Sequence, residues 1–356
     1  MTTYITSICN LTRIGAVLLT MIGGSAFCAN ACTRVVYVGD SAVATGRTLD
    51  WRTPIPTSLR IMPRGEVRHS YDVSSESLTW TSTYGSIVAI GYDMGVSEGL
   101  NEAGLAANIL YLPGAVYTLP NGKEHRKVMS SSVWALYFLD NFASVDEAIQ
   151  AISRDEFHID APSMPGGTAT TLHIALSDAT GNSAIVEYVD GQLTLHHGAD
   201  YNVLTNAPTL DQQLAVRNYW QGVGGMNMLP GTNRSTDRFV RASFYCSMLP
   251  RTLSHTKALA GVFGIVRNCS VPMGIAVPDQ PEISTTQWFS LSDQTKRVYY
   301  FQLTLSPSVV WVNLHDTDLT EGSPQRTLAL TTDGTQSGNV TALFTAATPF
   351  KPVYRL

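Results

Sequence analysis

The sequence predicts an α+β domain in which two stacked antiparallel sheets are covered by helices. Three observations carry this. Apolar residues alternate in short runs near both ends of the chain and in its middle. The period changes to three and four residues in two separate blocks, 130–153 and 209–268. The joints are turns of hairpin length, without a long linker, an internal repeat or a low-complexity tract.

The extended runs begin at Cys32. Residues 32–38 alternate, Gly39-Asp40-Ser41 marks a turn, and Val43 to Trp51 returns. An antiparallel hairpin of that length brings its open ends together, which places Arg47 and Asp50 within reach of Cys32. Further strands are expected at 58–62, 86–92 and 105–112. Gly99-Leu100-Asn101-Glu102-Ala103-Gly104 reads as a tight turn with two glycines available for positive φ. Helical spacing then covers 130–142 and 145–153, where Ser144 followed three residues later by Glu147 is a capping box. Strands return at 171–176, 183–189, 192–196 and 201–205. Helices follow at 209–220, 235–249 and 254–268, the last two split by Pro250, and the tail reads as strands at 285–291, 298–303, 309–313 and 328–331.

Residues 1–31 read as a signal peptide and 32–356 as one domain. Arg13 gives a positive flank, Ile14 to Ile22 a short apolar core, and Ala29-Asn30-Ala31 a small-residue cleavage site. The apolar run falls short of the roughly 20 residues that a stable membrane span needs. The expected location is therefore periplasmic or secreted. Cleavage between Ala31 and Cys32 would make Cys32 the first residue of the mature chain. Such a cysteine carries nucleophile and base together, because its α-amine has an ordinary pKa of about 7.7 to 8.0.

Composition narrows the function classes. The chain has 23 basic and 28 acidic side chains, a net charge of −5. Loss of Arg13 with the leader changes this to 22 against 28, or −6, with no block of like charges. That balance argues against a nucleic-acid or anionic-membrane partner. Of five cysteines, Cys9 and Cys28 fall in the leader, leaving Cys32, Cys246 and Cys269. One nucleophile plus a Cys246–Cys269 disulfide, or two unpaired buried thiols, would each account for the remainder. No His-Glu-x-x-His, Cys-x-x-Cys, Gly-x-Ser-x-Gly or phosphate-loop pattern occurs, so no metal or cofactor is expected, and His173, His196, His197 and His255 are not read as catalytic.

Taken alone, the candidate residues stay open. Cys32 reads as a nucleophile, a disulfide partner or a lipid-modified residue. Arg47 and Asp50 read as an exposed i,i+3 ion pair at a hairpin end. Asn206 reads as a turn asparagine ahead of Pro208, and Trp51 and Tyr111 as core aromatics.

Several stretches together resemble the choloylglycine hydrolase family, the linear-amide hydrolases that include bile salt hydrolases and penicillin V acylases. They are Cys32-Thr33-Arg34, Gly46-Arg47-Thr48-Leu49-Asp50-Trp51, Leu100-Asn101-Glu102-Ala103-Gly104-Leu105, Leu204-Thr205-Asn206-Ala207-Pro208-Thr209, and Leu229-Pro230-Gly231 running into Asp237-Arg238-Phe239-Val240-Arg241. The tail, Thr286-Gln287-Trp288 with Val298-Tyr299-Tyr300, is similar to the family's final sheet. The exported form resembles the family's Gram-negative branch.

The resemblance implies a four-layer αββα sandwich, the fold of N-terminal nucleophile hydrolases, with the nucleophile at the end of an inner strand. It implies that Cys32 attacks an amide carbonyl while its α-amine passes the proton to the leaving amine. Arg47 would lie near the sulfur, where a cation favours thiolate. Asp50 would orient the α-amine, Asn206 would donate to the oxyanion, and Arg238 would be a second active-site arginine, with Arg234 and Arg241 ordinary surface charges. Tyr111 falls where bile salt hydrolases commonly carry Asn and penicillin V acylases Tyr. Its backbone N–H would be the second oxyanion donor, and its ring would line an acyl pocket with Trp51 and the Met62-Pro63 region. The implied partner is a small amide with a hydrophobic acyl group: penicillin V first, N-acyl homoserine lactones beside it, conjugated bile salts as the runner-up. A non-catalytic exported lipoprotein or binding protein on the same scaffold is the reading from a different class. Family members are often homotetramers.

Overall fold

In the computed structural model the described residues are 32–71, 76–117, 126–163, 167, 169–275 and 284–353. The expected signal peptide, 1–31, lies outside them. The strands are β1 (Thr33–Val38), β2 (Val43–Trp51), β3 (Thr57–Met62), β4 (Val67–His69), β5 (Thr79–Thr81), β6 (Ser86–Gly91), β7 (Gly95–Asn101), β8 (Ala106–Tyr111), β9 (Lys127–Ser130), β10 (Phe157–Asp160), β11 (Leu172–Ser177), β12 (Ser183–Val189), β13 (Gln192–His197), β14 (Val203–Thr205), β15 (Thr285–Asp293), β16 (Val298–Leu303), β17 (Val310–Asn313), β18 (Arg326–Ala329), β19 (Gly338–Asn339) and β20 (Thr345–Ala346). The helices are α1 (Trp134–Asn141), α2 (Val145–Ile152), α3 (Leu210–Val223), α4 (Ser235–Met248) and α5 (His255–Asn268).

The strands build two large sheets. One is ordered β14-β1-β2-β15-β16-β17-β19, the other β13-β12-β11-β8-β7-β6-β3-β18-β20. Helices α4 and α5 pack on β1, β2, β14 and β15 of the first sheet, and α1 and α2 on β6, β7, β8 and β12 of the second. The layers therefore run helix, sheet, sheet, helix. The alternation of β2 shows how the two faces are used. A Cβ on Gly46 would lie 2.6 Å from Val262 and 3.0 Å from Val266, so the missing side chain lets α5 approach. Arg47, the next residue, faces the second sheet and bonds the carbonyls of Ser97 and Ile109 there. Arg34, also fully buried, donates to Ser183 and to the Leu176 carbonyl, tying β1 to β12 and β11.

The expected hairpin is present, with Thr33 opposite Thr48 and Arg34 opposite Arg47. Ser144 caps α2 by accepting from the Glu147 N–H. Two expectations are corrected. The glycine-rich stretch 99–104 is not all turn: Gly99 to Asn101 end β7, and only Glu102 to Gly104 reverse the chain, with Gly104 at φ +97°. Gly99 is needed for space, because a Cβ there would meet the Ile87 carbonyl at 2.4 Å and Leu139 of α1 at 2.7 Å. The disulfide alternative is also set aside, since Cys246 and Cys269 are both free and buried. Their thiols point to the carbonyls of Val36 and Arg238 respectively.

Candidate active site

Cys32 immediately precedes β1, at the open end of the β1–β2 hairpin, and is buried. Its Sγ lies 3.8 Å from Arg47 Nη2 and 3.9 Å from the Asp50 carbonyl. The placement of Arg47 is set from the opposite sheet. Its Nη1 donates to Glu98 Oε2 at 2.9 Å, and both side chains are essentially inaccessible. Glu98 in turn accepts from Tyr299 Oη at 2.7 Å and from Asn108 Nδ2 at 3.2 Å. Burial and the adjacent Glu98 push the Tyr299 phenol well above its ordinary pKa, so it stays a donor. The Trp288 ring, 5.2 Å from the Arg47 guanidinium carbon, adds a cation–π face.

Asp50 does not pair with Arg47. Its carboxylate takes Arg238 Nη1 at 2.5 Å, Thr48 Oγ1 at 3.0 Å and Thr286 Oγ1. Arg238 sits in the first turn of α4, fully buried, and also reaches the carbonyls of Cys269 and Cys32 at 3.0 and 3.4 Å. Burial raises the Asp50 carboxyl above its ordinary pKa in spite of Arg238 and the two hydroxyl donors, which act the other way. Thr48 Oγ1 links this carboxylate to the strand that follows Cys32, because it accepts from the Thr33 N–H at 3.1 Å.

Asn206 follows β14, which pairs with β1 as Thr33 opposite Thr205. Continuing that antiparallel register by one residue sets Asn206 opposite Cys32. Asn206 is fully buried, yet neither atom of its side-chain amide finds a protein partner. An amide left unpaired in the interior costs about 1 to 3 kcal/mol. The loop that carries it is clamped. Gln213 of α3, wholly buried, accepts from the Thr205 N–H and Oγ1 and donates to the carbonyls of Thr205 and Pro208. Glu187 of β12 receives the Leu210 N–H at the start of α3 and contacts His173 Nδ1 at 2.8 Å.

Beside Cys32 an apolar cavity of about 130 Å³ opens, lined among others by Trp51, Ile55, Met94, Ile109, Tyr111 and Leu172. Trp51 and Tyr111 meet edge to face, with centroids 5.4 Å apart. The structure thus gathers Cys32, Arg47, Asp50 and Arg238 in one connected cluster and puts Trp51 and Tyr111 in the adjoining pocket. Met62 lies elsewhere. It is the last residue of β3 and faces away from the inter-sheet space, packed among the residues under α1. Arg234 is exposed as expected, but Arg241 is buried and holds the carbonyls of Pro230 and Thr232.

Sequence reasoning missed Glu98, Gln213, Glu187 and Thr286 as supports. Thr286 lay inside a matched stretch. Glu98 directly precedes the glycine-rich segment taken wholly for a turn. Among the described residues no group of three or more His, Cys, Asp or Glu side chains is arranged to hold a metal.

With this geometry established, the comparisons decide the family. The family model for linear amide C–N hydrolases, choloylglycine hydrolase family, matches residues 32–336. The chain belongs to the choloylglycine hydrolase family. Its match begins on Cys32 itself. A penicillin V acylase of Pectobacterium atrosepticum is 41% identical over 305 residues, 80% of this chain and 81% of that protein. A bile salt hydrolase/transferase of Clostridium perfringens is 26% identical over 226 residues, 58% of this chain and 68% of that one. Among solved structures, a penicillin V acylase from Agrobacterium tumefaciens superposes with a TM-score of 0.83 at 43% identity, covering 91% of this chain and all of that one. A conjugated bile acid hydrolase from Clostridium perfringens gives 0.71 at 22% identity, covering 85% and 98%, a likeness of fold. The choloylglycine hydrolase chain described here is accordingly a hydrolase of linear carbon–nitrogen amide bonds on the αββα fold.

Proposed function

We propose that this hydrolase is an exported penicillin V acylase in which Cys32, freed as the N-terminal residue, is the nucleophile. Sγ attacks the amide carbonyl, the α-amine carries the proton to the departing amine, and water then releases the acid from a thioester. Arg47 stabilises the attacking sulfur, and Asp50, fixed by Arg238, orients the amine. The Asn206 amide and the Tyr111 backbone N–H receive the oxyanion. The unpaired Asn206 amide, in register with Cys32, supports this role.

The size of the apolar cavity carries the choice of substrate. An enclosed apolar cavity of about 150 Å³ takes a single benzene ring, and this one holds about 130 Å³ and is open at its mouth. It suits an aryl or short acyl group, as in penicillin V, better than a fused steroid. Acyl homoserine lactones present the same combination of a hydrophobic acyl chain on an amide and belong to the same reading, and conjugated bile salts rank below both. Assembly as a homotetramer is part of this proposal, with Tyr219 exposed on α3 and Met226 and Met228 exposed between α3 and α4 as its support. No described helix is long and apolar enough to cross a membrane.

A panel of penicillin V, glycocholate, taurocholate and long-chain acyl homoserine lactones, assayed with wild type and Cys32→Ser, tests the reading. Turnover of penicillin V by wild type and its near abolition in the variant are expected. Equal rates in the two proteins would remove the mechanism. Intact mass separates it from a lipoprotein, which would carry diacylglycerol on Cys32 in place of a free amine.

A further inference from the structure

The last described residues do not trail into solvent. Arg60 of β3, buried, donates to the Thr348 carbonyl at 2.8 Å and lies over the Phe350 ring at 5.8 Å. Gln325, also buried, bonds Arg60 and accepts from the Phe350 N–H at 2.9 Å. From this tether the chain runs to the end of β9, where Ser130 Oγ meets the Val353 carbonyl at 3.5 Å. Its residues line two cavities. Val353, with Ser131 and Ser132, lines the apolar pocket that holds Cys32. Pro349 to Pro352, with Val133 and Leu136, line a second cavity of about 390 Å³.

We propose that the stretch Thr348 to Val353 is the partition that ends the acyl pocket, and that Val353 is a specificity-determining residue for the length of the acyl group. This deepens the amide-hydrolase reading and rests on it. A wall made by an irregular stretch is easier to move than one made by a sheet, since few backbone hydrogen bonds resist its displacement. The Arg60–Gln325 tether therefore sets how far the wall stands from Cys32.

The test is a series of butanoyl, hexanoyl, octanoyl and decanoyl anilides, with kcat/KM measured for wild type, Val353→Ala, Val353→Trp and Arg60→Met. A methylene gained or lost in an apolar pocket changes kcat/KM about tenfold or more. The ratio of octanoyl to butanoyl should rise by about that factor in Val353→Ala and fall by a similar one in Val353→Trp. Arg60→Met, remote from the pocket, should move it in the direction of Val353→Ala by loosening the tether. Ratios at the wild-type value in Val353→Ala and Arg60→Met alike, with butanoyl turnover retained, would overturn this proposal alone. A wild type that cleaves none of the anilides would overturn the underlying reading and this one with it.

Discussion

Arg47 stands between Cys32 and Glu98, 3.8 Å from the sulfur of one and 2.9 Å from a carboxylate oxygen of the other, and is buried. A cation at that distance serves the sulfur only if its position is imposed, and Glu98 from the second sheet imposes it. Removing the guanidinium leaves a buried carboxylate without its counter-charge, a change that costs about 3 to 5 kcal/mol. Arg47→Met should therefore lower stability by that order in urea unfolding and slow alkylation of Cys32 by iodoacetamide. Adding Glu98→Gln removes the orphaned charge while keeping an acceptor for Tyr299. The double variant should regain most of the lost stability and none of the alkylation rate. Recovery of both together would mean that Arg47 serves the fold alone.

Asn206 makes the opposite trade. Its buried amide has no protein partner, so Asn206→Leu, similar in volume and free of unmet hydrogen bonds, is expected to raise stability by about 1 to 3 kcal/mol. The same change should lower kcat by about 10²- to 10³-fold, the usual loss for an oxyanion donor, with KM little altered. Thermal unfolding beside steady-state kinetics checks both halves. A less stable variant with normal kcat would identify Asn206 as an ordinary structural amide.

The Asn206 loop depends on Gln213, whose carbonyl oxygen accepts twice from Thr205 and whose amide nitrogen donates to Pro208 at 2.6 Å. Gln213→Leu strands these groups in the interior, and a loss of about 1 to 3 kcal/mol is expected. If the clamp also positions Asn206, kcat should fall in Gln213→Leu while KM holds, and Gln213→Glu, which keeps the acceptor, should retain more of kcat. Equal kcat in both variants and wild type would confine Gln213 to stability.

The sequence made the hairpin at Cys32 legible because alternation and a Gly-Asp-Ser turn are local signals, and the register that follows brings Arg47 and Asp50 to the Cys32 end. What each of them pairs with was not legible. Read locally, Arg47 and Asp50 look like partners on an exposed turn. In the fold both are buried, and each takes a partner distant in sequence, Glu98 on the facing sheet and Arg238 on α4. Choices between cross-sheet partners are made by packing of the whole sandwich, which no window of sequence records. The same reason hid Gln213, a polar residue on a helix whose surface is otherwise mostly exposed. The small strands β4, β5, β9 and β10 were missed because three or four residues are too few to show a period.

Asp140, at the far side of the second sheet, supplies a pH test of the fold that leaves the active site untouched. Its side chain is inaccessible, and Oδ2 accepts from Arg68 Nε at 2.7 Å and Trp80 Nε1 at 2.8 Å. Burial outweighs both donors and pushes the carboxyl up to about 6, against about 3.9 in an unfolded chain. Between those values the folded protein binds the proton that the unfolded chain has lost, so stability falls as pH rises through the window. The contribution is fully present below about pH 4 and gone above about pH 6, and two pH units correspond to about 3 kcal/mol. Asp140→Asn has no proton to release. The unfolding free energy of wild type, measured in urea from pH 4.5 to 7.5, should therefore decline relative to this variant by an amount of that order. Parallel curves would show that Asp140 is already ionised throughout, with Arg68 outweighing its burial.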